Sequence, residues 1–122
     1  MLHAQSTFPT HEGERIRYHA YIEMTRAYIS GMGVLLKEDG MIKGSLFNEF
    51  GITALDFTYD PERQKAKLHH VIKMIDKWYI RRLIRNDIAQ LMICLQKGET
   101  RYQNERRHIN YLFLPIENEV AE

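Results

Sequence analysis

The alternation of apolar and polar residues changes period twice along this chain, and the two changes outline its architecture. From Arg15 to Met24 the alternation is unbroken, with Ile16, Tyr18, Ala20, Ile22 and Met24 on one face and Arg17, His19, Tyr21 and Glu23 on the other. A period of two marks a strand with one buried face. Tyr28 to Leu36 and Met41 to Phe47 read as strands on either side of Lys37-Glu38-Asp39-Gly40, whose Asp-Gly pair accepts the positive φ of a tight hairpin. Asn48-Glu49-Phe50-Gly51 interrupts the pattern as a turn or bulge, and Ile52 to Tyr59 resumes it with Leu55, Phe57 and Tyr59 on one face. Asp60-Pro61-Glu62-Arg63-Gln64 predicts a turn with proline at its favoured second position, leading into a shorter strand, Lys65 to Val71.

From Ile72 the period becomes helical. Ile80, Ile84, Ile88, Leu91 and Leu95 form one face, bordered by Leu83 and Met92, and Gly98 suits the left-handed position just past a helix end near Lys97. Such a helix measures about 39 Å, enough to cross several strands. Asn86-Asp87 predicts a kink, because both side chains compete for backbone hydrogen bonds. Trp78 and Tyr79 are expected to pack against the sheet. Thr100 to Gln103 and Arg107 to Leu114 then read as a last hairpin around Asn104-Glu105, stopped by Pro115.

The expected fold is therefore α+β: a strongly bent, half-barrel-like antiparallel sheet of six to seven strands with one long, kinked helix packed across it. Ser30, Gly31, Gly33, Gly44 and Ser45, placed among apolar strand residues, mark where the sheet curls. Residues 1–13 read as a flexible leader, 14–116 as a single domain and 117–122 as an acidic tail. Ala4 before Gln5 has the small residue that ends many signal peptides, without the charged and apolar regions that precede it. A trimmed signal and a frayed cytosolic N-terminus both fit.

Composition narrows the partners. The chain of 122 residues is 44% hydrophobic and 27% charged, with apolar runs too short to span a bilayer. A net charge of +1 supplies no global field for nucleic acid or anionic membrane, so any charged partner must meet a local patch. Lys73, Lys77, Arg81 and Arg85 recur every four residues as a basic stripe, with Arg82 beside it. The stripe could face phosphates of nucleic acid or lipid headgroups, or could be a solvated face offset by Asp76 and Asp87. It lacks the interleaved stacking aromatics of single-strand binders, which argues against nucleic acid.

Catalytic motifs are missing: the chain has no Gly-x-Ser-x-Gly elbow, P-loop, dinucleotide fingerprint or Cys-x-x-Cys. Cys94, the single cysteine, reads as a small buried hydrophobe. His69-His70 would point to opposite faces of a strand and so could not share a metal ion. His19, Glu23 and His108 could converge only if the first and last strands pair. Asn48, Glu49 and Asp56 are polar groups among apolar strands, better explained by turn capping and cross-strand hydrogen bonds than by acid–base work. No catalytic residue, metal or cofactor is expected, and the chain is not expected to be an enzyme. Several strands carry apolar residues on both faces, as in Tyr28, Met32, Val34 and Leu36 against Ile29 and Leu35. One helix covers only part of one face, leaving apolar surface for a ligand or a second chain. Met32, Val34, Leu36, Phe47, Phe57 and Trp78 are the candidate lining of a sheet–helix groove, and all six fit an ordinary core equally well.

Taken together, Tyr18-x-Ala20, Ser30-Gly31-x-Gly33-Val34-Leu35, Gly44-Ser45-Leu46-Phe47-Asn48-Glu49-Phe50-Gly51 leading into Asp56-Phe57, and Leu83-Ile84-x-x-Asp87-Ile88 resemble the lipoprotein-carrier family of the bacterial envelope, LolA and LolB. The resemblance covers roughly two thirds of the chain. It implies an unclosed barrel lidded by helices, a cavity for acyl chains and a periplasmic or envelope location, with the cytoplasm still open. The chain departs from that family in having fewer strands, no N-terminal helix and no lipobox cysteine, so the acyl cavity that the resemblance implies is expected to be incomplete. On this reading the protein is a non-enzymatic carrier of an acyl chain or other apolar ligand. The alternative is an interaction protein that uses its apolar sheet face for a homodimer or another partner.

Overall fold

A computed structural model describes residues 6–116 as seven strands, a short 3-10 turn and one α-helix. The strands are β1 (Arg15–Glu23), β2 (Tyr28–Glu38), β3 (Met41–Asn48), β4 (Thr53–Asp60), β5 (Lys65–Val71), β6 (Arg101–Asn104) and β7 (Ile109–Pro115). They form a single antiparallel sheet in the order β5-β4-β3-β2-β1-β7-β6, curled into a half-barrel around the helix. The expected α+β class, with a bent sheet and one helix, is the observed one.

The first five strands follow one another as a meander, and β7 then returns to pair with β1 from Tyr18↔Pro115 to Glu23↔Asn110. Asp39 and Gly40 take φ values of 56° and 76°, as an Asp-Gly hairpin requires. The sheet curls where rings lie directly on backbone. A Cβ at Gly44 would sit 2.1 Å from the ring of Phe57, so only glycine leaves room for that ring. Register shifts at Leu46/Phe47 and at Asp56/Phe57 add further bend.

The helix, α1 (Trp78–Gln96), is shorter than the sequence pattern suggests. Ile72 remains extended because its N–H donates to the Ala54 carbonyl at 2.8 Å, prolonging the sheet ladder past β5. A 3-10 turn over Lys73–Ile75 follows, with Ile75 buried beneath it. At Asn86-Asp87, where a kink is expected, α1 continues as helix through both residues without a break. Asp87 does not compete for its own backbone because its carboxylate is engaged sideways. It accepts hydrogen bonds from the Tyr111 hydroxyl at 2.8 Å and from Asn104 Nδ2 at 2.9 and 3.1 Å.

α1 begins where β5 ends, and its last turn reaches the opposite end of the sheet, where the Tyr59 hydroxyl donates to Gln96 Oε1 at 3.1 Å. It therefore runs along the strands, its backbone nearest to β5 and β6, the two sheet edges. Ile84, Ile88, Leu91, Met92 and Leu95 meet Tyr18, Leu35, Leu46, Phe57 and other inward strand residues, and the concave side is filled by the chain's own side chains.

The leader is corrected in part. Within its described portion, Phe8 is buried edge-on to Tyr59 with ring centroids 6.4 Å apart, and the Tyr18 hydroxyl donates to the Thr7 carbonyl at 2.7 Å. The Glu12 carboxylate accepts from the N–H groups of Asp39 and Gly40, both at 2.8 Å, which holds its pKa below the usual value. Residues 6–13 are thus docked on the sheet. Residues 1–5, where the signal-peptide question falls, and the acidic tail from 117 to 122 lie outside the described residues.

Candidate functional site

The strand register fixes what each end and face of the molecule presents. β1 and β3 finish, and β2, β4 and β7 start, at one end of the sheet, which therefore carries the β1–β2, β3–β4 and β6–β7 connections and the link from β5 to α1. This end gathers exposed apolar side chains. Of the eight large hydrophobic residues most exposed among the described residues, six lie here: Tyr28, Phe50, Ile52, Met74, Trp78 and Tyr79. Phe50, 81% exposed, is held out by a tight turn in which Asn48 Oδ1 accepts from the N–H groups of Phe50 and Ile52, each at 2.9 Å. Trp78 and Tyr79 stand edge to face, with ring centroids 5.6 Å apart. Arg26, Lys73, Lys77, Arg106 and Arg107 occupy the same connections.

Below this end, between α1 and the edge strand β5, lies a cleft of about 570 Å³ lined by Lys67, Leu68, Trp78, Arg81, Arg82 and Arg85. Helical spacing explains three of them. Trp78, Arg82 and Arg85 follow one another at four and three residues, so they share the flank of α1 turned toward β5, while Asp87 faces β6 on the opposite flank. Arg81 is paired with Asp76 at 3.1 Å, and the described residues hold no ion pair for Lys67, Arg82 or Arg85. The first turn of α1 contains no acidic residue, and no side chain caps it.

The proposed groove lining separates into three places. Met32, Val34, Leu36 and Phe47 are on the outer face, since they alternate with the buried Gly33, Leu35 and Leu46, and Met32 pairs directly with Phe47. Leu114, opposite His19 in the neighbouring pair, extends this face across β7. Phe57 is a core residue, 2% exposed. Trp78, 75% exposed, does not pack against the sheet interior, because it lies off the apolar stripe of α1. The six therefore do not line one groove.

The basic stripe is likewise redrawn. Lys73 belongs to the 3-10 turn and Lys77 is the extended residue before α1, so only Arg81 and Arg85 keep helical spacing. The structure substitutes Arg82 and Lys67 for the two lysines. Arg82 was legible from its four-residue distance to Trp78, whereas Lys67, exposed between the inward-packed Ala66 and Leu68, belongs to the outer side of the edge strand and borders the cleft only at its rim.

The remaining candidates are scattered or engaged in structure. A bulge in β5 lets His69 hydrogen-bond the Thr58 side chain at 3.0 Å and His70 the Thr53 carbonyl at 3.3 Å. No group of three or more metal-ligating side chains occurs among the described residues. β1 and β7 do pair, but Glu23 meets Asn110 at 3.3 Å, four positions along β1 from His19, and His108 sits in the β6–β7 turn. Asp56 accepts from the Ser45 hydroxyl across the strands at 2.7 Å, and Glu49 lies exposed in the turn that Asn48 closes. Cys94 is half-buried, its thiol pKa raised first by burial and then by Glu99.

Asp87 is the one charged residue buried among the described residues. Burial raises its pKa, against the lowering effect of its donors Tyr111 and Asn104. With every polar atom of the cluster satisfied, it reads as a clamp between α1 and the last hairpin. No helix of the described residues is long and apolar enough to cross a membrane. Comparison with known proteins finds no match among family models, curated proteins or solved structures.

Proposed function

We propose that this protein is a non-enzymatic lipid-binding module of the cell envelope that docks on a membrane surface through the end carrying Phe50, Ile52, Met74, Trp78 and Tyr79. The observation that carries this reading is the gathering of six of the eight most exposed large hydrophobic residues among the described residues at one end, where the lysines and arginines of the connections outnumber the acidic Glu49, Asp76 and Glu105. Aromatic side chains partition into the headgroup region, and cations beside them gain from anionic lipid, so the combination suits a bilayer interface. The packed concave side bears on the carrier reading. An acyl chain would enter it only if α1 moved, whereas the loop end is accessible as it stands.

The test is sedimentation with lipid vesicles. Wild-type protein should bind vesicles containing anionic lipid, and Phe50→Ser with Ile52→Ser should weaken binding by at least tenfold at unchanged thermal stability, since these side chains lose about 1.5–3 kcal/mol each when not buried. Binding that ignores this change overturns the reading. The outer face, with Met32 beside Phe47 and Leu114 nearby, favours a second reading, self-association or partner binding. A dimer in light scattering that dissociates in Met32→Lys would support it.

A further inference from the structure

We infer that the cleft between α1 and β5 binds the phosphate of an anionic lipid headgroup, an inference that rests on the membrane-docking reading and adds a recognition site to it. Its lining contains four cationic side chains, one aromatic ring and one leucine, with no carboxylate. Asp76 engages Arg81 alone. Such a collection is unfavourable in isolation. Like charges four apart on a helix, as at Arg81 and Arg85, repel one another, and cations in the first turns oppose the positive end of the helix dipole. In a chain of net charge +1, three of these four cations, Lys67, Arg82 and Arg85, have no ion pair among the described residues, a pattern expected where a ligand provides the compensation.

The geometry selects the ligand class. Arg82 and Arg85 line the cleft of about 570 Å³ from the helix, and Lys67 borders it at the rim of the edge strand, so cations of two elements surround one space. Guanidinium groups hold phosphate oxygens in paired hydrogen bonds, and lysine adds a point charge. Trp78 and Leu68 supply apolar walls for the glycerol and upper acyl carbons, and Trp78 also belongs to the exposed end that meets the bilayer. A headgroup entering beside Trp78 would place its phosphate at the three cations that have no ion pair.

The chain has one tryptophan, Trp78, which makes the cleft directly observable. The experiment compares full-length wild type with Arg82→Ala plus Arg85→Ala, using Trp78 emission and sedimentation against vesicles of phosphatidylcholine alone and of phosphatidylcholine with phosphatidic acid. Wild type should prefer the phosphatidic acid vesicles, and the double variant should lose about thirtyfold of that affinity while keeping its binding to neutral vesicles. Equal preference in wild type and variant overturns the cleft and leaves membrane docking standing. Absence of vesicle binding in wild type, with a Trp78 response to glycerol 3-phosphate that the double variant loses, instead overturns membrane docking and reassigns the cleft to a soluble phosphate ester. A Trp78 response reproduced by chloride at equal ionic strength reduces the cleft to charge screening and overturns it. Unchanged circular dichroism of the variant secures the comparison, and Lys67→Ala, at the exposed sheet edge, provides a second route should that variant misfold.

Discussion

Gly44→Ala tests whether Phe57 is a core residue or the wall of an adaptable groove. The added Cβ would stand 2.1 Å from Cζ of Phe57 and 2.5 Å from both Cε atoms, where ordinary contact begins near 3.4 Å. The ring must therefore withdraw by more than 1 Å (3.4 less 2.1). It is 2% exposed, and its neighbours in the cluster are themselves buried. Overpacking of this kind costs about 1–3 kcal/mol, and the depth of the overlap puts this case near 3. With an unfolding entropy of about 2.1 cal/mol/K per residue, a chain of 122 residues loses roughly 4 °C of Tm per kcal/mol, so a fall of about 12 °C is expected. Thermal and urea unfolding followed by far-ultraviolet circular dichroism measure it. Phe57→Leu removes the obstructing ring atoms, so the double variant Gly44→Ala, Phe57→Leu should lose less than the sum of the single changes by about 1–3 kcal/mol. A Gly44→Ala protein with wild-type Tm, or strict additivity in the cycle, would refute the reasoning and show that the ring yields into open space.

The Asp87 clamp makes two further predictions. Tyr111→Phe should cost about 1–3 kcal/mol in urea unfolding, because it withdraws a donor from a buried carboxylate, and a neutral result would mean that water replaces the hydroxyl. Because burial raises the folded-state pKa of Asp87, the folded protein binds that proton more tightly than the unfolded chain. Its contribution is then complete below the ordinary carboxylate value and is lost as pH rises through the raised one. Relative to Asp87→Asn, wild-type stability should therefore decline from about pH 4 upward, and parallel pH profiles would exclude the effect. Glu12 and Glu14, whose pKa values backbone N–H groups lower, act in the opposite sense in both proteins and cancel in that difference. Finally, Phe8→Ala should destabilise by about 3–5 kcal/mol if residues 6–13 are part of the core, and an unaltered urea midpoint would return them to the status of a loose leader.

What the sequence determined by itself was the set of elements and their inward faces. Alternation in β1 names Ile16, Tyr18, Ala20 and Ile22 as buried, and Asp39-Gly40 names its own turn, because both signals act between residues a few positions apart. The tertiary structure decided the rest. The helix start depends on a hydrogen bond from Ile72 to Ala54, and the continuity of α1 through Asp87 accords with Asn104 and Tyr111 reaching its carboxylate from the last hairpin. Neither partner is visible from within the helical run. The same holds for the candidate site. Arg81 and Arg85, with Arg82 beside them, were legible from helical spacing, but Trp78 was expected against the sheet, and Lys67 joins them only because the curl brings the edge of β5 to α1. Apolar residues such as Met32 and Phe57 have similar transfer energies, so hydrophobicity cannot say which faces outward. Register decides that, since one step along a strand exchanges core for surface.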